Sequence, residues 1–498
     1  MARVRAPIVV ALLAGPVALA FFSGGYFDRA RLWAALLAWC AVAVAAVAVP
    51  RPLPRTIAAW SAIAGLLGLA AWNAASISWS PVAGVAQADA ERLLLYLGVL
   101  VAAIALLRPR AAARAYEPII ALGGMLVICE GLSERVLPGI FTLAHTAAPL
   151  TNNGRLEQPL TYWNAVGFFA AMAAIIGIRV AGDSTRPAVT RILAAAATPA
   201  LLVGMYLSLS RAAALAFGIG VVALVLFEPT RAQLRALVGL GVAGLPGVAV
   251  CVHYWELRTL QGTLSQREHE GLILLAALAL GTAIAVAATA WAASRRAAPP
   301  MRWLRVMAQL GVVAMTAVVV IVLATTYATT HTAIVNEQLG AANARLTSVE
   351  SNRGDFWQVA VHAFEHHPVR GLGAGGYRVA WLSERRINYN VNDAHSLYLQ
   401  TLAELGLVGG AALIALFAGV FFAARAARRS DPNLCVGPIA VLAMWAVHAA
   451  LDWDWEMPAL TLVAMLAAGV VVACAERSKQ SGEEQPVGAV PAASGAAA

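Results

Sequence analysis

The sequence predicts an all-α integral membrane protein with about 12–14 transmembrane helices and a helical extracytoplasmic loop. Three observations predict it. Hydrophobic residues make up 60% of the 498 positions and charged residues 12%, about half the charged share of an ordinary soluble domain. Apolar runs of about 18 residues, each long enough to cross a bilayer, recur along the whole chain. The basic residues fall in alternate connections between those runs.

The opening stretch "MARVRAPIVVALLAGPVALAFF" has the basic start and apolar middle of a signal peptide. With many further spans behind it, it reads as an uncleaved first span over 7–22. Continuous apolar runs then predict helices over 31–49, 57–76, 92–107, 116–132, 163–181, 191–209 and 212–227. The run 116–132 includes Glu130, and the last two helices are separated by Ser210-Arg211 alone. Further helices are predicted over 236–252, 271–293, 304–325, 403–424, 434–451 and 457–474. Cys40, Cys129, Cys251, Cys435 and Cys474 are scattered through apolar segments, with no CxxC or metal-ligand spacing.

With the N-terminus in the cytoplasm, the inner connections and tails hold 21 of the 35 Lys and Arg but only 7 of the 26 Asp and Glu. Shifting the register by one helix destroys this asymmetry. The net charge of +9 therefore follows from the positive-inside rule and gives no reason to invoke nucleic acid. The expected location is the cytoplasmic (inner) membrane, with several passes and both termini cytoplasmic. Most inner loops are short, but two outer segments are long, about Ser133–Tyr162 and about Thr326–Leu402. The chain divides into an N-terminal bundle (1–325), a large extracytoplasmic loop (326–402), C-terminal helices (403–474) and a low-complexity tail (475–498) expected to be disordered and cytoplasmic. Within the large loop, "NRGDFWQVAVHAFEHH" reads as one amphipathic helix.

The outer face collects the chemistry. In "NVNDAHSLYLQTLAELGLVGG", Asn392 or Asp393 reads as a helix N-cap and His395 as a first-turn residue. A histidine at the membrane surface is either a satisfied structural residue or a base that titrates near neutral pH. Arg211, in "LSLSRAAALAFGIG", is either a snorkelling interfacial arginine or one with an anionic ligand. Arg353 either pairs with its neighbour Asp355 or binds an anion. Arg155 precedes a helix start marked by Glu157, Tyr162, Trp163 and Asn164. Three arginines, which recognise phosphate oxygens bidentately, and one histidine base on one side of a membrane point to transfer chemistry on a lipid-linked phosphate or diphosphate.

Three motifs carry less. "GLGAGG" (Gly371–Gly376) spells a dinucleotide fingerprint, but no strand precedes it, so it reads as a turn that lets the backbone pass closely. His362, His366 and His367 have a spacing zinc can use, without an evident third ligand class. "LDWDWEMPAL" places Asp452, Asp454 and Glu456 in a tight hairpin. Such carboxylates can serve glycosyl chemistry or a cation, but they read first as turn caps, with sugar contact as the alternative.

The stretch "RGDFWQVAVHAFEHHPVRGLGAGGYRVAW" followed by "DAHSLYLQTLAELGLVGG" resembles the O-antigen ligase and polymerase superfamily. The shared pattern is Arg353, Trp357 four residues on, a Pro and Gly-x-Gly turn, then His395, a Tyr-Leu stretch, Glu404 and Gly406-Leu407-x-Gly409. "LSLSRAAAL" and "RLEQPLTYWNAVGFFAAM" are similar to the family's Ser-Arg element and its upstream Asn-containing helix start. The resemblance implies a GT-C-like membrane glycosyltransferase that needs neither metal nor cofactor. Its donor is a glycan on undecaprenyl diphosphate, and its acceptor is a lipid or polysaccharide. It implies that His395 activates the acceptor hydroxyl while Arg211 and Arg353 hold the diphosphate. Arg155, Asn164, Asp393 and Trp357 are the implied substrate-binding residues. Ser396 stands where the family often has Asn, and the segment before His395 carries its own basic pair, Arg385-Arg386. Acceptor choice is therefore left open. Two rival readings remain: a polymerase of lipid-linked repeats, and a transporter of lipid-linked saccharides, which would place charges in broken mid-membrane helices.

Overall fold

The long apolar runs fold as helices, and no strand occurs among the described residues. The computed structural model describes residues 2–143, 154–294, 302–329, 346 and 351–483. The N-terminal bundle comprises α1 (Ala2–Ala20), α2 (Asp28–Ala48), α3 (Ile57–Ser76), α4 (Ala83–Leu106), α5 (Tyr116–Val136), α6 (Trp163–Gly182), α7 (Ala188–Leu207), α8 (Arg211–Phe227), α9 (Arg231–His253), α10 (Leu264–Ala293) and α11 (Arg302–Ala328). The long connection after α11 contributes α12 (Arg353–His366) and α13 (Tyr377–Glu384), and α14 (Leu397–Ser430), α15 (Pro432–His448) and α16 (Pro458–Glu483) follow. Ten described helices are long and apolar enough to cross a membrane, and Arg5–Ala20, Arg211–Phe227 and Pro432–His448 are shorter apolar helices. The protein is an all-α integral membrane protein.

Two helices form the axis of the bundle. The apolar stretches of α6 and α16 are entirely enclosed by protein, whereas that of α11 is only 6% buried. Around them α3 packs on α14, α2 and α16 on α4, α7 on α6, and α9 on α10. The helix ends sort into two faces. At one, Glu476 accepts hydrogen bonds from the Arg55 and Thr56 amides and the Thr56 hydroxyl. Arg110 pairs with Asp431 at 3.0 Å, and Arg179 with Glu228 at 3.0 Å. These are the connections predicted to be inner. The opposite face gathers the turns before α6, α8 and α16 and the described segment that carries α12 and α13.

Besides helix starts that move by up to nine residues, as at α4 and α10, three features differ from the sequence reading. Asn392 and Asp393 do not cap α14. The N-cap position is Ser396, which makes no side-chain cap bond. His395 lies outside the helix, in a left-handed conformation (φ 54°). The cause is Gln400, whose carbonyl accepts from the Ala394 amide at 3.0 Å while its amide donates to Asp393 Oδ1 at 3.2 Å. That latch holds the chain in a loop where a first helical turn was expected. Second, the helix predicted over 403–424 runs from Leu397 to Ser430 but is broken at Gly406 (φ 60°, ψ −158°). Third, α16 continues to Glu483, into the predicted tail, the rest of which lies outside the described residues.

The glycine-rich turn explains the break. The Leu372 amide donates to the Ala403 carbonyl at 3.0 Å and the Gly373 amide to the Glu404 carbonyl at 2.8 Å. The Leu407 amide, freed by the break, donates to the Pro368 carbonyl at 2.8 Å. The two backbones touch, as the sequence reading of "GLGAGG" anticipates. Gly406 occupies a region open essentially to glycine alone, and a Cβ there would land on the Val369 carbonyl. Gly406→Ala is expected to destabilise the protein by on the order of 3 kcal/mol, read as a lower melting temperature in detergent. Gly68→Ala, whose Cβ would meet only ordinary contact at 3.8 Å, should leave the melting temperature unchanged.

Candidate active site

The site is built at the face opposite the connections predicted to be inner, from the starts of α6, α8 and α12, the loop before α14 and the turn between α15 and α16. Its hub is Asp452, which is fully buried. Asp452 Oδ1 accepts from the Tyr162 hydroxyl at 2.9 Å and the Trp453 amide at 3.0 Å. Oδ2 accepts from Asn164 Nδ2 at 2.7 Å and Arg353 Nη2 at 2.8 Å. Four donors fill the four acceptor positions of one carboxylate. Burial works against ionising Asp452, but the adjacent Arg353 guanidinium and the Tyr162 hydroxyl hold its carboxyl below the usual range. Arg353 therefore does not depend on Asp355 for its charge partner. Its side chain keeps 17% exposure, so it is anchored inside and still open to that face.

A second tier supports the hub. Asn164 also donates to the Tyr162 hydroxyl at 2.7 Å and accepts from Arg155 Nη2 at 3.2 Å. Arg155 Nε donates to the Ser208 carbonyl at 2.9 Å, and its guanidinium lies 4.5 Å from the Trp163 ring. Ser208 precedes the Ser210 cap of α8, whose hydroxyl accepts from the Ala213 amide at 3.2 Å. Arg211 is the first residue of that helix. Its neighbour Ala212 packs in the same cluster as Phe356, Trp357 and Ala394. Arg155 and Trp357, read from sequence as substrate contacts, are 1% and 2% exposed, so both lie inside the protein behind the surface.

His395 faces this network. Its ring lies 5.2 Å from that of Phe356, tilted by 41°, and 6.5 Å from Trp453, the residue after the hub. Nδ1 lies 3.0 Å from the Asp393 carbonyl. A carbonyl only accepts, so Nδ1 carries the proton and Nε2 keeps its lone pair. Burial, reinforced by Arg353 and opposed by Asp452, holds the imidazole below its ordinary pKa. The ring is thus a neutral base at neutral pH. Asp393 contributes its backbone carbonyl to this arrangement, and its carboxylate is engaged by Gln400.

Of the residues selected from sequence, the structure joins Arg353, Asn164 and Arg155 through hydrogen bonds to one carboxylate network and sets His395 beside it. Asp452 was passed over as a turn cap. The signal was present in "LDWDWE", a cluster of acidic residues and tryptophans in an apolar chain, but the partner of Asp452 lies 99 residues away. His362 does not join a metal site: its Nδ1 lies 2.7 Å from Glu384. Among the described residues no group of three or more His, Cys, Asp or Glu converges.

The O-antigen ligase family matches residues 273–414. The match supports kinship with the O-antigen ligase and polymerase superfamily. No curated protein matches the chain. The family match covers Arg353, Trp357, Asp393 and His395. Arg155, Asn164, Arg211 and Asp452 lie outside it and reach the matched region only through the fold. Broadly, this family's activity is ligase-type glycan transfer at a membrane, and the O-antigen ligase domain here includes the whole of α12 and the loop that bears His395.

Proposed function

We propose that this protein transfers a glycan from an undecaprenyl-diphosphate-linked donor to an acceptor hydroxyl at the outer face of the cytoplasmic membrane. The observation that carries this reading is the pairing of a neutral, surface-reachable imidazole with an arginine fixed by a buried carboxylate. His395 Nε2 takes the proton of the acceptor hydroxyl as its oxygen attacks the anomeric carbon. The bond from that carbon to the diphosphate oxygen breaks, and the leaving diphosphate takes the electron pair. Arg353 and Arg211 bind the charge that grows on it. Guanidinium groups can neutralise a diphosphate without a metal, and the sugar arrives already activated by its carrier, so no nucleotide is required. Arg155 and Asn164 act as positioning residues through Asp452.

The orientation belongs to the same proposal: the face with the Arg- and Lys-rich connections is cytoplasmic, both termini with it, and the Asp452 face is outside. Within the division into 1–325, 326–402 and 403–474, α12, α13 and the segment before α14 supply the outer wall of the site. Extension of a lipid-linked repeat would use the same steps with a different acceptor.

The test uses the full chain in nanodiscs with the lipid-linked glycan extracted from its native host, without added metal or nucleotide. Mass spectrometry should show glycan leaving the lipid. Arg353→Ala should lower that rate about a hundredfold or more, the usual effect of removing one charge-stabilising donor. Product size then separates ligation from polymerisation. Glycan that stays on its lipid but crosses the bilayer of proteoliposomes would sink the proposal in favour of transport.

A further inference from the structure

The amphipathic helix α12 has a second working face. Arg353 and Phe356 point inward to Asp452 and His395. Asp355, Gln358, Val359 and His362 follow the i, i+3, i+4, i+7 spacing of a single, different stripe. With Glu384 and Arg386, from the end of α13, they line a cleft of about 210 Å³. Its walls are fixed. Glu384 accepts from His362 Nδ1 at 2.7 Å. Gln358 accepts from Arg386 at 3.1 Å and donates to the Tyr327 carbonyl at 2.9 Å. These bonds tie α12 to α13 and to the end of α11, so the polar groups are held before any ligand arrives.

We infer that this cleft is a saccharide-binding subsite, which seats a ring of the glycan remote from the reacting sugar. The inference rests on the proposed glycan transfer. Three features support it. First, five of the six lining residues are polar, and Glu384, Arg386 and His362 each keep hydrogen-bonding atoms beyond the bonds above. A carboxylate and a guanidinium match the paired hydroxyls of a sugar ring bidentately. Second, two carboxylates against one guanidinium disfavour a diphosphate or polyanion and suit a neutral or amino sugar. Third, the cleft extends from Asp355 to His362, roughly 10 Å at 1.5 Å per residue along the side of α12 turned away from Arg353, which gives room for a ring remote from the reacting sugar.

The probe is the oligosaccharide released by mild acid from the host's lipid-linked pool, titrated against the full chain in nanodiscs. His362, Glu384 and Arg386 are exposed, so their substitution leaves the helix core intact. The double variant Glu384→Gln, Arg386→Ala should weaken binding roughly tenfold, the effect of one or two lost hydrogen bonds. His395→Ala should bind the oligosaccharide as the wild type does. In transfer assays the double variant should raise KM without lowering kcat. A rise confined to the donor assigns the cleft to the donor glycan, and one confined to the acceptor assigns it to the acceptor. Wild-type transfer with no change in binding or KM in the double variant overturns the subsite alone. Oligosaccharide binding that depends on Glu384 and Arg386, in a protein that transfers nothing, overturns the proposed reaction and leaves the subsite standing. Failure of the wild type to bind the oligosaccharide overturns the subsite.

Discussion

Replacing His395 with alanine should lower glycan transfer by about a hundredfold or more, the usual contribution of a positioned general base, while melting temperature and helical content hold. The ring contributes little to the bundle itself: it caps nothing, and its contacts are Phe356, Trp453 and the Asp393 carbonyl. The pH profile carries the sharper test. A base works only when unprotonated, so kcat/KM should be flat at neutral pH and fall as acid protonates the ring. Burial holds the His395 pKa below the ordinary 6.5, so the fall should begin below that value. Arg353→Ala removes a charge that lowers this pKa, and its residual activity should begin to fall at a higher pH than in the wild type. An acid limb that survives unchanged in His395→Ala would assign the base elsewhere.

Asp452→Ala should be the most damaging single change, because it affects both folding and reaction. It strands the donors of Tyr162, Asn164 and the Trp453 amide, and it leaves Arg353 without its counter-charge. Breaking a buried ion pair by removing one partner typically costs about 3–5 kcal/mol, and the partial exposure of Arg353 places this case at the lower end. The melting temperature should fall, and transfer should vanish even at temperatures where the variant remains folded. Asp452→Asn separates the two effects. It keeps the size and one acceptor oxygen, so more stability survives, but it removes the negative charge that raises the His395 pKa. Any residual activity should then persist to lower pH than in the wild type. Full activity in Asp452→Asn would show that Arg353 needs no anionic anchor.

The fold was legible because its signals are local. Each apolar run became a helix, including the pair divided only by Ser210-Arg211, since the Ser210 hydroxyl supplies a helix cap where a continuous span would otherwise form. The amphipathic stretch over Arg353–His366 is a helix with the expected inward face. His395, Arg353 and Asn164 were legible as unusual polar residues at the ends of apolar runs. The missed features depend on distance. Nothing in "SNRGDFWQ" distinguishes an arginine paired with Asp355 from one paired across 99 residues with Asp452. The left-handed His395 depends on Gln400 reaching back over one turn, a side-chain choice that periodicity does not encode. Arg155 and Trp357 read from sequence as substrate-binding residues, but sequence alone could not place them beneath the surface.

The glycine-rich turn reaches beyond α14. The Ala374 amide donates to the Ser76 hydroxyl at 3.0 Å, and the Ser80 hydroxyl donates to the Ala374 carbonyl at 2.7 Å. One short strap is therefore sewn to the α3–α4 corner on one side and to the broken helix on the other. The turn is thus held at both margins, and through it the corner between α3 and α4 is tied to the break in α14. Such a strap keeps one geometry for the segments that bear α12 and His395, as the proposed transfer asks of a site whose parts come from distant stretches of chain.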